Sequence, residues 1–422
     1  MIKRRLLPIP DGSEFTASNL PFGIGRQGTR SPHAWVALGE HALDLPSLAK
    51  SGFFDSKFVE RSTLVMTFEE SSLNSFLALG PPVWRHVRKS LQTCILSDQS
   101  GEILGNHAIE ISELEMQVPV VIGDYVDFYS SIHHATNLGR LFRPDGEALL
   151  PNWRHIPVGY HGRAGTIVAD GSEIHRPSGV RLEDGQPVFG PTRSLDIELE
   201  VGAIVGGEIT ANSGVTAANS EEFLFGICLV NDWSARDIQA FEYQPLGPFL
   251  GKSFATSLSC WVVTFDALTP FRVKSPPQEP QPASYLRDTR QDGLDLWLEI
   301  LIESRTMREG GIEPWIISRT SFGDMYWTFA QQLAHVVANG ATARVGDLIA
   351  SGTVSGPVAG SEGSFIELTW RGSRPLELPD GSTRSFLEDG DRVILRGWAG
   401  SDMQTRIGLG SVSGMIVGER KS

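Results

Sequence analysis

The sequence contains few cysteines, and their spacing argues against a cysteine-based metal site. Cys94, Cys228 and Cys260 are the three cysteines in 422 residues, and two of them lie inside apolar runs. They lack the paired spacing of zinc ligands, and their odd number does not suggest a disulfide framework. The pattern therefore predicts reduced, packed thiols in an intracellular protein.

A long apolar run and a basic cluster are also missing. The chain has no apolar stretch of the roughly 18 residues or more that span a bilayer, and no signal-peptide pattern follows Met1. The formal net charge is -14, and the only basic run at the amino terminus is the short Lys3-Arg4-Arg5. We therefore expect a soluble cytoplasmic protein that binds neither membranes nor nucleic acid.

The chain is long enough for two domains. Its 422 residues with 41% hydrophobic content can bury a large core. Residues 1–117 combine a short apolar strand at 35–38 with helical patterns at 58–79 and 84–96, and they end in an acidic stretch at 110–115. This composition predicts a small amino-terminal domain.

Residues 118–422 predict a larger, β-rich domain, because many short strands are separated by Gly, Pro and Asp turns. The first of these strands is expected at 118–122. The clearest helix is expected at 321–339, closed by Gly340, and the Pro-rich span 275–282 is expected to form an extended surface loop. The sequence therefore predicts a mixed, β-rich fold.

The most informative pattern is the alternation Asp196-Ile-Glu198-Leu-Glu200. A period of two places the three carboxylates on one face of a strand and the aliphatic residues on the other. Like charges this close repel unless a counter-ion or solvent offsets them, and hard oxygen ligands suit Ca²⁺ or Mg²⁺ rather than Zn²⁺. Taken alone, the pattern is more typical of a solvated strand face, so a cation site depends on the segments around it.

A second polar segment follows the apolar run 223–230, which predicts a buried strand or a short buried helix. If a helix begins near Asp232, then Asp232, Arg236, Gln239 and Tyr243 form one stripe that mixes an acid, a cation, an amide and a phenol. A stripe of these polar side chains does not suit an apolar core, so it indicates that the helix faces a cleft. The alternative is a capped surface helix with an internal Asp–Arg pair.

Two imidazoles stand out upstream, in a segment of acids and hydroxyls at 124–137. His133 or His134 is a candidate general base, although either is also typical of a satisfied structural histidine. The same two interpretations apply to Arg143, Tyr160 and His161. Downstream, a rigid turn of Pro and Gly ends in Lys252 among small and apolar residues, and this lysine could point into a site.

Together these segments carry a resemblance that extends over nearly the whole chain. The sequence resembles the fumarylacetoacetate hydrolase family, and within it the fumarylacetoacetase branch. The strings that carry the resemblance occur here in the family's order: Asp124-Tyr-Val-Asp-Phe-Tyr-Ser-Ser131, Pro157-Val-Gly-Tyr-His-Gly-Arg163, Asp196-Ile-Glu-Leu-Glu200, Asn231-Asp-Trp-Ser-Ala-Arg-Asp237, 245–253, and Ala350-Ser-Gly-Thr-Val-Ser-Gly-Pro357.

The resemblance implies a role for each candidate residue. The implied metal ligands are Asp127, Glu198, Glu200 and Asp232, with Lys252 and Thr256 at a second cation site. The implied base is His134, oriented by Glu367, which alternation within 364–369 would turn away from its apolar neighbours. Arg236, Gln239 and Lys252 match the stabilisers of the oxyanion and leaving group. The implied substrate contacts are Tyr129, Arg143, Tyr160, Gln239, Tyr243 and Thr353.

Two positions depart from the family pattern. Ala255 stands where a glycine is usual before Thr256, and its methyl group would crowd the second cation site. Ile132 stands where a polar or charged residue usually precedes the base. On an extended segment, Asp127 and His134 would face opposite sides, so we expect a bend near Ser130-Ser131.

The resemblance implies an enzyme with an SH3-like amino-terminal domain, residues 1–117, and a catalytic β-sandwich or roll, residues 118–422. It implies that a homodimer with Ca²⁺ or Mg²⁺ hydrolyses the carbon–carbon bond of fumarylacetoacetate, a small diketo acid, to fumarate and acetoacetate. Water would be activated by His134. The alternatives are an acylpyruvate-type hydrolase or a decarboxylase of the same superfamily, or a binding protein whose cation is purely structural.

Overall fold

The structure is a computed structural model that describes residues 9–10, 12–97, 100–288, 290, 292–402 and 405–419. Its amino-terminal part consists of short strands with helices between the third and the fourth. These elements are β1 Phe22–Gln27, β2 His33–Leu38, β3 His41–Asp44, α1 Leu45–Lys50, α2 Arg61–Phe68, α3 Asn74–Ala78, α4 Pro81–Ile95, α5 Ser100–Leu104, β4 Ala108–Glu110 and β5 Leu114–Gln117.

The remaining chain is rich in short strands. Its first elements are β6 Tyr125–Phe128, α6 Ile132–Phe142, β7 Gly159–His161, β8 Ile167–Ala169, β9 Ser172–His175, β10 Ser178–Glu183, β11 Gln186–Pro191, β12 Leu195–Asp196, β13 Leu199–Val205, β14 Leu224–Asp232, β15 Ser234–Ala235, α7 Arg236–Glu242, β16 Thr256–Leu258, β17 Trp261–Thr264 and α8 Phe265–Leu268. The later elements are β18 Arg272–Lys274, β19 Asp292–Leu294, β20 Leu296–Glu303, α9 Arg305–Glu309, β21 Trp315–Ser321, α10 Phe329–Val337, β22 Leu348–Ala350, α11 Phe365–Leu368, β23 Leu376–Glu377, β24 Thr383–Arg384, β25 Arg392–Ala399 and β26 Ile407–Val417.

Two sheets form the centre of the molecule. The larger has the strand order β4-β3-β2-β1-β17-β14-β13-β22-β6-β7, and the other has the order β21-β20-β25-β26-β9. Side chains from both sheets share one core, which includes Leu229 of β14, Leu298 of β20 and Val412 of β26. β13 and β14 are buried along their whole length, as their apolar sequences require. The predicted mixed, β-rich fold is confirmed.

The amino-terminal strands extend the large sheet. β1 pairs with β17, where Phe22 lies opposite Val262. A second core forms on the other face of the central strands, where Ile204 and Val230 belong to the same cluster as Leu91 of α4. Because the two parts of the chain share a sheet and a core, the boundary between residues 117 and 118 stays a prediction.

Several short elements differ from the sequence predictions. The helical pattern at 58–79 divides into α2 and α3, and the apolar residues at 118–122 form no strand, since β6 begins only at Tyr125. The helix expected over 321–339 begins at Phe329, because Thr328 caps it in a reciprocal capping box with Gln331.

The polar segment after β14 also differs. The helix expected near Asp232 begins at Arg236, because Asp232 still pairs with Thr256 of β16 and ends the strand. The segment around Glu367, expected to alternate as a strand, forms the short helix α11. Its first amides are held by the carboxylate of Asp196, which lies far away in sequence.

Other expectations agree with the structure. β2 contains the strand expected at 35–38, and α4 covers most of the helix expected at 84–96. Cys94, Cys228 and Cys260 are free and buried. Within the described ranges, every helix is too short or too polar to cross a membrane.

The strand order brings acidic residues to one edge of the large sheet. Antiparallel β13 and β14 pair Glu200, near the start of β13, with Val230, two residues before Asp232, the last residue of β14. β22 pairs with β13 on its other side and runs parallel to β6, where Ala350 lies opposite Asp127. This edge is the candidate site.

Candidate active site

Four buried carboxylates meet at this edge. Asp127, Glu198, Glu200 and Asp232 each offer one oxygen, and the four oxygens lie within 4.8 Å of one another. No more than 6% of the surface of any of these residues is exposed. The acids assigned to the metal by resemblance therefore come together in space, whereas Asp196, from the same alternation, lies outside this cluster.

The cluster has the features of a cation site. Both side-chain oxygens of Glu200 and Oδ1 of Asp127 are buried and accept no hydrogen bond from the protein. Burial raises the pKa of Glu200 and of Asp127 well above the ordinary carboxyl range, and the neighbouring carboxylates raise it further. Buried oxygens without donors are costly, and hard oxygens in this number suit a divalent cation such as Ca²⁺ or Mg²⁺. The donor set therefore fits the implied metal.

Lys252 lies against two of these carboxylates. Its Nζ is 2.6 Å from Glu198 Oε2 and 2.5 Å from Asp232 Oδ2, and Thr256 Oγ1 donates a hydrogen bond to Asp232 Oδ1 at 3.1 Å. Burial disfavours the charged amine, but the two carboxylates outweigh it and raise the pKa of Lys252. Lys252 is therefore a cation, and a second metal site at Lys252 and Thr256 stays a prediction.

Glu198 differs electrostatically from its neighbours. Burial alone would raise its pKa, but Lys252 and Arg236 oppose burial and lower the pKa of Glu198 below its ordinary value. Glu198 is therefore an anion that two side-chain cations already hold. Among the four carboxylates, Glu200 has the greatest need for an added cation, because neither of its oxygens has a partner.

His134 lies on the first turn of α6, whereas the sequence predicted an extended segment. Ser131 caps this helix, so a strand-to-helix turn separates Asp127 from His134. His134 is buried, and its Nδ1 lies 2.7 Å from Glu367 Oε2, while His133 is half-buried. Since successive residues of a helix point about 100° apart, the two imidazoles have different surroundings.

Several hydrogen bonds fix Glu367. Its Oε2 also accepts from Ser355 Oγ at 2.9 Å and from Ser364 Oγ at 2.7 Å, while Oε1 accepts from Asn137 Nδ2 at 2.9 Å. Burial alone would raise the pKa of Glu367, but His134 and these hydrogen bonds lower it below its ordinary value. An anionic Glu367 favours the tautomer in which His134 donates from Nδ1, which leaves Nε2 free to accept a proton.

Arg236 links Asp196 to Glu198 of the carboxylate cluster. Its Nε donates to Asp196 Oδ2 at 2.7 Å, and its Nη1 lies 2.7 Å from Glu198 Oε1 and donates to Gln239 Oε1 at 3.1 Å. Its Nη2 is buried without a protein partner. A fixed guanidinium with one unused donor is suited to stabilise a negative oxygen.

Two of the predicted substrate contacts lie near the two ends of α6: Tyr129 lies beside His134 of its first turn, and Arg143 lies at its carboxyl end. The ring of Tyr129 packs edge-on against the ring of His134, with 5.3 Å between centroids. Arg143 is the C-cap of α6, and its Nη2 donates to the carbonyl oxygen of Ala148 at 2.9 Å. Burial raises the pKa of Tyr129, so its hydroxyl stays protonated. The substrate roles of Tyr129 and Arg143 stay predictions.

Tyr160 contacts the carboxylate cluster directly. Its hydroxyl lies 2.7 Å from Asp127 Oδ2 and 3.1 Å from Asp232 Oδ2. Burial and the nearby acids raise its pKa well above the ordinary value, so the hydroxyl remains a donor. A cavity of about 190 Å³ is lined by Tyr160, Asp232, Lys252 and Thr256.

Tyr243 and Thr353 occupy different surroundings. Tyr243 is the half-buried C-cap of α7, and Thr353 Oγ1 is buried without a hydrogen-bond partner. Thr353 follows Gly352, whose φ is 77° and where a Cβ would lie 2.0 Å from the carbonyl oxygen of Phe128. Glycine at this position therefore lets the Thr353 segment approach β6.

Comparisons with known proteins give the family. Residues 125–416 match the profile described as fumarylacetoacetate (FAA) hydrolase C-terminal, and residues 18–119 match the profile described as fumarylacetoacetase N-terminal. The chain belongs to the fumarylacetoacetase family. The resemblance inferred from the sequence is therefore confirmed.

Full-length relatives in the fumarylacetoacetase family come from distant organisms. The chain is 41% identical to the fumarylacetoacetase of Arabidopsis thaliana over 422 residues, which cover 98% of both chains. It is 43% identical to that of Caenorhabditis elegans, covering 98% of this chain and 99% of the relative. It is 42% identical to that of Homo sapiens, covering 97% and 98%.

A solved structure agrees with the fold. The fumarylacetoacetate hydrolase from the psychrophilic Exiguobacterium antarcticum superposes with a TM-score of 0.54, covering 95% of this chain and 100% of that chain. The sequence identity of this pair is 16%, so the comparison supports the fold alone.

Sequence reasoning missed three residues that hold the His134–Glu367 pair. Asn137, Ser355 and Ser364 all donate to Glu367. Asn137 lies three residues after His134, so helical spacing could have indicated a shared face once α6 was recognised. Ser364 lies three residues before Glu367, the Ser-x-x-Glu spacing typical of a helix start, so it also had a local signal. Ser355 had none, because its approach to Glu367 depends on the irregular chain between β22 and α11.

Proposed function

We propose that this protein hydrolyses a carbon–carbon bond of fumarylacetoacetate to give fumarate and acetoacetate, with water as the nucleophile. The observation that carries the proposal is the buried His134–Glu367 pair beside the four-carboxylate cluster, flanked by Arg236 and Lys252. A purely structural cation would need the carboxylates, but it would not need His134, Glu367, Arg236 or Lys252. The full-length similarity to fumarylacetoacetases supports the same activity.

The proton route starts at His134. Its Nε2 takes a proton from water, because Nδ1 is committed to Glu367, and the hydroxide oxygen bonds to the substrate's ketone carbon. Glu367 stabilises the imidazolium that forms. The fixed geometry of the pair orients the ring before the substrate binds.

The tetrahedral oxyanion then needs hydrogen-bond donors. Arg236 Nη2 has no protein partner, and the amide nitrogen of Gln239 is available because its oxygen accepts from Arg236. Collapse of this intermediate breaks the carbon–carbon bond and leaves an electron pair on the acetoacetate carbon. Lys252 supplies the proton that this carbanion requires, and the carboxylic acid group formed in the same step releases a proton that restores Lys252. His134 returns the proton it took from water to solvent, which completes the cycle.

Asp127, Glu198, Glu200 and Asp232 would hold the divalent cation, Ca²⁺ or Mg²⁺. Bound by these carboxylates, such a cation would supply Lewis-acid chemistry for a dicarbonyl substrate. Arg143 and Tyr129 would hold the substrate's terminal carboxylate, since a guanidinium matches a carboxylate in bidentate geometry.

We also propose a cytoplasmic location for the protein, which its free, buried cysteines support.

The direct test is turnover of fumarylacetoacetate, followed as the loss of its absorbance. We expect turnover with Mg²⁺ or Ca²⁺, and we expect it to stop in chelating buffer and return when metal is restored. An acylpyruvate assayed in parallel is the control for the superfamily alternative. Higher kcat/KM on the acylpyruvate, or undiminished turnover in chelator, would contradict the proposal.

We also propose that the protein is a homodimer. Large apolar side chains are exposed on the hairpin of β10 and β11, where Leu182 is 58% exposed and Phe189 is 69% exposed. Patches of this kind are typical of protein interfaces. Light scattering is expected to give the mass of two chains, and Phe189→Lys to shift it toward one. A monomer mass for the unmodified protein at assay concentration would refute the dimer.

A further inference from the structure

Asp196 is the acid of the Asp-x-Glu-x-Glu alternation that the carboxylate cluster does not use. It is fully buried, and its carboxylate accepts four hydrogen bonds. Oδ2 accepts from Arg236 Nε at 2.7 Å and from the backbone nitrogen of Ile366 at 3.0 Å. Oδ1 accepts from the backbone nitrogens of Phe365 and Ile197, both at 2.7 Å. A carboxylate offers about four acceptor positions, so all are in use.

These partners belong to two different parts of the site, the carboxylate cluster and the His134–Glu367 pair. Arg236 begins α7 and pairs with Glu198 of the carboxylate cluster. Phe365 and Ile366 are the first residues of α11, and the next residue is Glu367, which holds His134. A helix of four residues does not form without outside support. Asp196 gives that support through the two amides that α11 cannot satisfy itself.

We propose that Asp196 is a positioning residue that sets the spacing between the oxyanion-stabilising Arg236 and the His134–Glu367 pair. This inference rests on the proposed function, but its geometric part can be tested without turnover. Asp196 acts through its neighbours, because its four acceptor positions are filled by Arg236 and by backbone amides.

The arrangement requires four acceptor positions on the side chain of residue 196. An asparagine has nearly the same shape, but one of its acceptors becomes an NH₂ donor. That donor would face either Arg236 Nε or a backbone N–H, and two donors cannot bond each other. Arg236 or α11 must therefore move in Asp196→Asn. A displacement of about 1 Å is enough to cost about a hundredfold in rate.

The first test compares Asp196→Asn with Asp237→Asn. Asp237 lies on the same helix as Arg236 and also accepts backbone hydrogen bonds, from Arg193 and Ile238, without bonding Arg236. We expect Asp196→Asn to lower kcat about a hundredfold with KM changed by less than about threefold, and Asp237→Asn to leave kcat within about threefold. Equal effects of the two substitutions, or an unchanged kcat in Asp196→Asn, would overturn the proposal.

A double-mutant cycle separates positioning from general destabilisation. If Asp196 acts partly through Arg236, its substitution should cost at least about tenfold less in kcat when Arg236 is already glutamine. The same loss in both backgrounds would mean that Asp196 does not act through Arg236, and this result would overturn the proposal. The double variant also removes both members of the buried ion pair, so it leaves no unpaired buried charge.

Crystal structures give a readout that does not depend on activity. In Asp196→Asn, the guanidinium of Arg236 or the helix Phe365–Leu368 is expected to shift by about 1 Å, and in Asp237→Asn neither should move. If Asp196→Asn cannot be purified, the double variant is compared with Arg236→Gln, and the same helix should be displaced only in the double variant. An unmoved site would overturn the proposal even if the unmodified protein failed to cleave fumarylacetoacetate, a failure that would count only against the proposed function.

Discussion

Replacing His134 by alanine is expected to lower kcat by about a thousandfold or more, because the reaction loses the base that activates water. Metal binding should remain, since none of the four clustered carboxylates depends on His134 for a hydrogen bond. Turnover measured by absorbance, together with Ca²⁺ or Mg²⁺ affinity measured by calorimetry, separates these two effects.

His133→Ala is the matched control. His133 precedes His134 on the same helical turn but is only half-buried, so its loss should change kcat by less than about threefold. The kcat of Glu367→Gln should lie between those of His134→Ala and His133→Ala, because the amide can keep the ring in place but cannot stabilise an imidazolium. If activity survives in His134→Ala and is lost in His133→Ala, the assignment of the base and the mechanism built on it are wrong.

The sequence predicts the carboxylate cluster better than it predicts the elements that carry it. Alternation over Glu198 and Glu200, and an acid at the end of the apolar run before Asp232, are local signals. Both survive errors of a few residues in the strand boundaries. The alternation failed at Asp196 because the chain leaves the ladder between β12 and β13, so that acid turns to Arg236 and α11.

The histidine side of the site was harder to predict, because short helices depend on distant partners. Local alternation around Glu367 favours a strand, yet Asp196 caps the segment as a helix from about 170 residues away. At His134 the cause is local instead: Ser131 caps α6 directly after β6, so a residue expected on an extended segment becomes part of a helical turn. Elements of four residues have little intrinsic stability, so tertiary contacts decide their form.

Replacing Glu200 by glutamine is expected to abolish turnover and to weaken divalent-cation binding by more than about a hundredfold, because even changes to residues behind the ligands cost 10- to 100-fold in metal affinity. Glu200 is fully buried, and both of its oxygens lack protein donors, so its charge can be balanced only by a proton or a cation. The amide keeps the size of the side chain and removes the charge that a hard cation needs. Calorimetric titration with Ca²⁺ and Mg²⁺, alongside the turnover assay, measures both losses.

Without metal, Glu200→Gln is expected to stabilise the fold, although it weakens metal binding. Because burial and the neighbouring carboxylates raise the pKa of Glu200 above its ordinary 4.5, the folded protein holds a proton that the unfolded chain releases. The free energy of unfolding of the metal-free protein should therefore fall as the pH rises above 4.5, and it should fall less steeply in Glu200→Gln. In chelating buffer at neutral pH the variant should melt at a higher temperature than the unmodified protein, and this order should reverse when saturating metal is added.

Glu299→Gln is the control. Glu299 is a fully buried acid paired with Arg319 and Arg396 on the other sheet, so its substitution should leave metal affinity unchanged. Full activity of Glu200→Gln in chelating buffer would show that the cluster does not hold the metal on which the proposed reaction depends.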